Sequence, residues 1–383
     1  MKKIVIIIGT RPEAIKLWPI INLLKHESEL TTSVINTGQH GKMLDETLED
    51  LGVKAEANLR VMRPGQSLPR LLARLVTALE KQFQNISPDL VVVQGDTLTA
   101  LAASIVGFLM STKIAHVEAG LRTNNIYSPF PEEFSRQVIS RVASIHFAPT
   151  THAKENLIRE GIKANQVEVT GNTIVDATLT SQQAALEFHG KKKTIYLSGY
   201  GDFSCSSDSG FALVTLHRRE NAGSFFEIIL KAIALASKKN PSFRFVFPVH
   251  PNPSIRFVAH DILGQLDNVL LIQPQKYSAF MRLLQSCDFV LSDSGGLQEE
   301  AVTLGKPILV ARNDTERPEG LASGIMKMVS GNEDQVSNIL DETIKKSRQQ
   351  IPFSLEPQVN PFGDGRASNR IVERIKKELF AAL

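Results

Sequence analysis

The sequence predicts an α/β protein built from two doubly wound, Rossmann-like domains, and three observations carry that prediction. Short aliphatic runs alternate with longer stretches of helical periodicity along the whole chain. The runs are continuously apolar, which is how strands read when helices cover both faces of a parallel sheet. The chain has 383 residues, more than one domain of roughly 100–200, so the alternation is divided between two.

The first strand is Ile4–Ile8. It follows Met-Lys-Lys in the manner of a secretory leader, but Gly9, Thr10 and Arg11 end the apolar run short of the ~7–15 residues such a leader needs. Pro12 suits the first turn of a helix Pro12–Lys25, where its missing N–H has no partner to lose. Strands are expected at Ser33–Asn36, Leu90–Gln94, Ile114–Val117 and Ile145–Ala148, with helices at Leu68–Asn85 and Thr97–Ser111. The second half restarts the rhythm with strands Ala212–Thr215, Phe243–Pro248, Val269–Ile272, Phe289–Ser292 and Ile308–Val310. Its helices are expected near Ser224–Lys238, Ser278–Ser286 and Leu297–Leu304. A crossing helix near Thr173–Phe188 leads into it, and His189–Ser209, rich in Lys, Gly and Ser, is expected to be a loop. The boundary is placed at Thr170–Asn172, giving domains 1–171 and 172–365. The amphipathic helix Ala367–Leu379, within 366–383, is expected to return to the first domain.

Composition narrows the function. With 42% hydrophobic and 22% charged residues, the chain has enough apolar material to offset the entropy of ordering, which excludes a disordered protein. Lys and Arg number 43 against 40 Asp and Glu, and a net charge of +3 predicts no general affinity for nucleic acid or acidic membranes. No run approaches the ~20 apolar residues of a membrane span. Cys205 and Cys287 make no disulfide framework and match a reducing compartment, so the cytoplasm is expected.

Ligands of open α/β sheets bind beyond the carboxyl ends of the strands, so polar clusters directly after strands are the candidates. Gly9-Thr10-Arg11-Pro12-Glu13, with Lys16 a turn later, reads as a glycine turn offering N–H groups and two cations to an anion. It matches neither the dinucleotide fingerprint nor the P-loop, so no nicotinamide cofactor is expected. The bland reading is a capped helix. Gln94-Gly95-Asp96-Thr97 sets Asp96 at a strand tip, where it is either chemical or a helix cap. His116-Val117-Glu118 is a third strand end. Glu132 and Glu133 begin a helix, where acidic residues are favoured in any case. Three acidic strand-end sites in one domain nevertheless point to carboxylates sharing acid and base roles. In the second half, His217-Arg218-Arg219-Glu220-Asn221 and Ser292-Asp293-Ser294-Gly295-Gly296 follow strands. Ser294, Gly295 and Gly296 open a helix and read as a phosphate seat, with Glu300 for ribose hydroxyls and Arg317 for charge. His250 in Pro-Val-His-Pro reads as structural, and no His/Cys spacing suggests a metal. The residues thus describe an enzyme holding a nucleotide-linked substrate in an interdomain cleft.

At these residues the chain resembles the non-hydrolysing UDP-N-acetylglucosamine 2-epimerases. The resemblance is carried by residues 9–16, 95–97, 116–123, 131–133, 170–173, 217–221, 293–300 and 315–319, in order from residue 3 to about 380. It implies a fold similar to the GT-B glycosyltransferases, a homodimer, and interconversion of UDP-GlcNAc and UDP-ManNAc for surface polysaccharides. It places Asp96, Glu118, Glu132 and His217 in catalytic positions. It places Arg11, Lys16, Gln275, Phe280, Ser294, Gly295, Gly296, Glu300 and Arg317 in nucleotide-sugar positions. The implied route eliminates UDP to leave 2-acetamidoglucal and then adds it back. Glu118 and Asp96 fit the base and its orienter, Glu132 a proton donor or sugar-positioning group, and His217 stabilisation of the leaving group. Gly41 stands near where an Arg contributes to an allosteric site in some members. The alternatives are an epimerase of another UDP-acetamido sugar, a glycosyltransferase of the same architecture, or a silent UDP-sugar sensor.

Overall fold

The computed structural model describes residues 1–189, 194–204, 210–216, 224–312, 320–321, 324–349 and 360–380. The chain divides into two compact units, one formed by Met1–Ala177 with Phe362–Leu383 and the other by Thr178–Pro361.

In the first unit the strands are β1 (Lys2–Ile8), β2 (Leu30–Asn36), β3 (Ala57–Asn58), β4 (Leu90–Gln94), β5 (Lys113–Val117), β6 (Ile145–Ala148) and β7 (Val167–Val169). They form one sheet in the order β3-β2-β1-β4-β5-β6-β7, parallel throughout. The connecting helices are α1 (Arg11–Lys25), α2 (Lys42–Asp50), α3 (Leu68–Ile86), α4 (Leu98–Leu109), α5 (Glu132–Val142) and α6 (Thr151–Arg159). A strand's period of two explains why the aliphatic runs are continuous. Ile4, Ile6 and Ile8 enter one core with α1 and α2, while Val5 and Ile7 enter the opposite core with α3 and α4. The strand order reverses between β1 and β4, so the tips of these two strands flank the crevice where such sheets take ligands. α7 (Thr173–His189) then carries the chain across the unit boundary.

The second unit repeats the plan. Strands β10 (Phe211–Thr215), β11 (Arg244–Pro248), β12 (Val269–Ile272), β13 (Phe289–Ser292), β14 (Ile308–Val310) and β15 (Met326–Met328) are parallel and ordered β12-β11-β10-β13-β14-β15. The switch point lies between β10 and β13. Around them stand α8 (Ser224–Lys239), α9 (Pro253–Leu263), α10 (Tyr277–Ser286), α11 (Gly295–Thr303) and α12 (Glu333–Arg348). The last helix, α13 (Ala367–Phe380), packs in the first unit, where Ile371, Val372, Ile375 and Leu379 join the core under α1. Among the described residues, no helix is long and apolar enough to cross a membrane.

One expectation needs correction. Within His189–Ser209, the segments β8 (Thr194–Leu197) and β9 (Gly201–Ser204) form an antiparallel hairpin, not a loop. Ile195, Leu197 and Phe203 are buried, and Phe203 meets Phe211 edge-to-face at 5.3 Å between centroids. An alternation only four residues long, flanked by lysines and serines, is too short to stand out in sequence. Cys287 is buried, and burial pushes its thiol up to about 12, as an inert core residue requires.

Candidate active site

The β1 tip enters α1 through Gly9 and Thr10. A Cβ on Gly9 would lie 2.0 Å from Thr99 Oγ1 and 2.6 Å from Thr37 Oγ1, so only glycine fits there. Glu13 is the third residue of α1, where a capping box folds its side chain back over the helix start. Its Oε2 accepts from the Gly9 N–H at 2.9 Å and the Thr10 N–H at 2.6 Å. Its Oε1 accepts from Thr97 Oγ1 at 2.7 Å, and Thr97 caps α4 by accepting from the Ala100 N–H at 3.0 Å. One carboxylate therefore ties together the two helix starts that flank the switch point. Burial pushes the Glu13 carboxyl up to about 7, against the pull of these hydrogen bonds. The anion seat expected at Gly9–Thr10 is thus occupied by the chain's own carboxylate, a correction that follows from Glu13 standing at the capping position.

The β5 tip carries Glu118, which has φ +63, a left-handed conformation uncommon outside glycine. The turn directs its side chain into a buried cluster, where the residue is 9% exposed. Lys16 Nζ from α1 donates to Glu118 Oε1 at 2.5 Å, and the Asn172 side-chain amide donates to the same oxygen at 2.9 Å. The Gln94 amide from β4 donates to Oε2. Lys16 is itself buried, so its charge meets a carboxylate in a poorly solvated place.

Asp96 lies at the neighbouring β4 tip, held by Arg136 Nε at 2.8 Å. Arg136 also donates to Glu133 at 3.2 Å, and Glu133 is fully buried, accepting from the Thr123 N–H at 3.1 Å. The carboxylate pair at the start of α5 is therefore split. Glu133 is built into the fold, while Glu132 is only half-buried. Arg122, in the turn after β5, makes a two-point pair with Glu160 at 2.6 and 2.9 Å. Beneath the strand tips, His116 Nε2 donates to the Gly95 carbonyl at 2.7 Å, supporting the turn that carries Asp96. Burial, with His146 next, lowers His116 to about 3, and burial with Arg122 lowers His146 to about 4, so both rings are neutral. Arg11 is half-buried, and its backbone N–H donates to His40 Nδ1 at 3.4 Å.

In the second unit, the β13 tip opens into α11 with Ser294 at the cap position. Ser292 Oγ accepts from the Ser294 N–H at 2.9 Å and pairs with Thr215 Oγ1 at 2.6 Å, binding the β10 and β13 tips together. The first N–H groups of α11, at Gly295 and Gly296, have no partner within their own helix. A Cβ on Gly296 would meet nothing within 4 Å and its φ is not positive, so neither packing nor backbone geometry requires glycine there. Glu300 is buried on α11 beside Tyr277 of α10, and burial together with Glu300 raises that phenol well above its ordinary pKa. Phe280 is half-buried on α10. Gln275 spends its side chain on the hairpin, accepting from the Ser198 N–H at 2.9 Å and donating to the Ser198 and Gln273 carbonyls at 3.2 and 2.6 Å. His250 Nδ1 accepts from the Asn252 N–H at 3.2 Å in the turn before α9. His217 and Arg317 lie outside the described residues.

The sequence reading singled out neither Glu13 nor Asn172 for the site. Asn172 was visible only as part of Thr-Gly-Asn-Thr, and which residue it contacts is decided by the return of the chain past β7.

The chain is similar to known proteins over nearly its whole length. A sequence profile described as UDP-N-acetylglucosamine 2-epimerase matches residues 22–376. The UDP-N-acetylglucosamine 2-epimerase of Neisseria meningitidis serogroup A is 41% identical over 377 residues, covering 98% of this chain and 99% of its own. The Bacillus subtilis enzyme of that name is 39% identical over 378 residues, covering 97% and 94%. Among solved structures, the Neisseria meningitidis UDP-GlcNAc 2-epimerase bound to UDP-GlcNAc superposes with a TM-score of 0.88 at 39% identity, covering 98% of this chain and 100% of that one. The S. aureus MnaA–UDP co-structure gives 0.85 at 39% identity, covering 99% and 97%.

Proposed function

The chain belongs to the UDP-N-acetylglucosamine 2-epimerase family, and from that premise we propose that it interconverts UDP-GlcNAc and UDP-ManNAc without hydrolysis, as a cytoplasmic homodimer feeding surface-polysaccharide synthesis. The observation that carries the reading is the buried Glu118 carboxylate, held by Lys16, Gln94 and Asn172 beside the Asp96–Arg136 pair.

The C2 proton of the sugar is not adjacent to a carbonyl, so direct deprotonation would be far too slow. Elimination avoids the difficulty. Glu118 takes the C2 proton, the C–H electron pair becomes the C1–C2 double bond, and the C1–oxygen bond breaks to release UDP from 2-acetamidoglucal. Re-addition protonates C2 on the opposite face as a UDP oxygen attacks C1. That face needs its own proton donor, a part Glu132 fits, while the base is oriented by Lys16, Gln94 and Asn172 and not, as the resemblance implied, by Asp96, whose carboxylate pairs with Arg136. Charge balances along the route. Glu118 gains the C2 proton and loses its negative charge, and the departing diphosphate carries that charge away. Gly295 and Gly296 at the start of α11 suit the diphosphate, and the open space over Gly296 leaves room for the close approach of a ligand. Nucleotide-sugar contacts are assigned to Ser294, Glu300 and Phe280 in that unit and to Arg11 in the first, while the Gln275 side chain is already committed to the hairpin. His217 and Arg317 supply cationic and hydrogen-bonding support to the phosphates.

The test is acceptor-free incubation with UDP-GlcNAc in D2O, followed by NMR. Deuterium at C2 of UDP-ManNAc, with traces of glycal and UDP, is expected. No isomerisation without an acceptor would favour a glycosyltransferase instead. Protium retained at C2 with neither glycal nor UDP released would sink the elimination route.

A further inference from the structure

Asn172 is placed between two tasks that one amide performs at once. Its Oδ1 accepts from the Ile174 N–H at 3.1 Å, capping the start of α7. Its Nδ2 donates to Glu118 Oε1 at 2.9 Å. The cap requires an acceptor and the carboxylate requires a donor, so the orientation of the amide is set by chemistry on both sides. Asp caps helices about as well as Asn. At this position, however, Asp would set a second carboxylate against Glu118, so the contact to Glu118, and not the cap, selects the amide.

The backbone around Asn172 is equally tied. Its N–H donates to the Phe362 carbonyl at 2.8 Å, and a Cβ on Gly171 would come within 3.3 Å of the Gly363 Cα. Gly171 and Gly363 have φ of +88 and +139. Asp176, one turn into α7, accepts from the Ser368 N–H at 2.8 Å and the Ala367 N–H at 3.3 Å at the start of α13. Asn172 therefore sits where the outgoing and returning passages of the chain touch, and its position relative to Glu118 depends on both.

We propose that Asn172 is a positioning residue for the epimerisation, fixing the Glu118 carboxylate and registering it to the start of α7. Displacement of the first turn of α7 then withdraws one of the donors that hold Glu118 as an anion and leaves a stronger base. The charged and titratable groups facing Glu118 include the Lys16 ammonium from α1 and the neutral His116 ring of β5, while Gln94 from β4 adds an uncharged donor. The inference rests on the epimerase reading above, in which Glu118 is the base.

The experiment compares wild type, Asn172→Ala and Asn172→Asp as full-length protein. Glutamate labelled with ¹³C at the side-chain carboxyl reports the titration of Glu118, identified by the signal missing in Glu118→Gln. Epimerisation of UDP-GlcNAc is followed across pH in parallel. Removing a charge-assisted donor is expected to raise the Glu118 midpoint by about one pH unit in Asn172→Ala. The acidic limb of kcat should move with it, and KM should stay within about twofold. Asn172→Asp retains the α7 cap, so it isolates the contact if Asn172→Ala does not fold; its midpoint should rise at least as far. A wild-type midpoint and acidic limb in either folded variant would overturn the proposal. Failure of the wild type to isomerise UDP-GlcNAc would overturn the functional reading alone, because the carboxyl titration needs no turnover.

Discussion

Glu13→Gln tests the physical account of the switch point. Burial raises the Glu13 carboxyl from 4.5 to about 7 in the folded protein. Between those values the folded state holds a proton that the unfolded chain has released, so stability falls as pH rises through the interval. Below 4.5 both states are protonated and the group contributes no difference. Above 7 both are ionised and the full penalty is present. At about 1.4 kcal/mol per pH unit, the interval from 4.5 to about 7 amounts to on the order of 3 kcal/mol. Glutamine avoids the penalty and can keep the contacts. Its oxygen accepts from the Gly9 and Thr10 N–H groups, and its amide donates to Thr97 Oγ1, which carries lone pairs for the purpose. The variant should match wild type near pH 4.5 and be more stable above pH 7, by up to that amount. Trp18 is the chain's single tryptophan and lies on α1, so urea unfolding followed by its fluorescence reads the first unit. Taking variant minus wild type removes the contribution of every other titrating group. An unchanged difference between pH 4.5 and 8 would refute the argument, as would a variant destabilised equally at every pH.

Other perturbations test the geometry and the proposed function. Glu118→Gln keeps the shape of the side chain but removes its basicity, so UDP affinity by calorimetry should hold while turnover drops at least a hundredfold; near-normal turnover would move the base to Asp96 or Glu132. Gly9→Ala drives a methyl group into Thr99 and Thr37, and a loss of about 2 kcal/mol or more in urea unfolding is expected, against no change if the β1 tip is loose. NMR of ¹⁵N-labelled imidazoles should show His116 and His146 neutral at pH 5; a titration near 6.5 in either ring would contradict their burial beside Arg122. Arg317→Ala should chiefly weaken binding of UDP, by roughly tenfold or more, and equal affinity would remove Arg317 from the phosphate site.

Most of the fold was legible because parallel sheets covered on both faces require long aliphatic runs, and those runs marked β1, β4, β5, β10 and β13 without ambiguity. Not every element was anticipated: the helix α12 was passed over despite its capping box, while other missed elements had weak signals. The β8–β9 hairpin alternates for only four residues a strand, and β7 is a three-residue edge strand with Glu168 at its centre. Candidate carboxylates were also legible, since a strand tip followed by glycine or a helix start is a local pattern. What each carboxylate does was not. Glu13, Glu118 and Glu133 are all buried acids near strand ends, yet Glu13 closes a cap, Glu133 anchors Arg136, and Glu118 meets Lys16 and Asn172. Those partners lie up to 102 residues away in sequence. By itself the sequence determined most of the segments that become strands and helices, because periodicity and capping act over a few residues. Only the tertiary structure decided which partner each buried acid meets, because a hydrogen bond between strand tips exists only once the sheet has set their order.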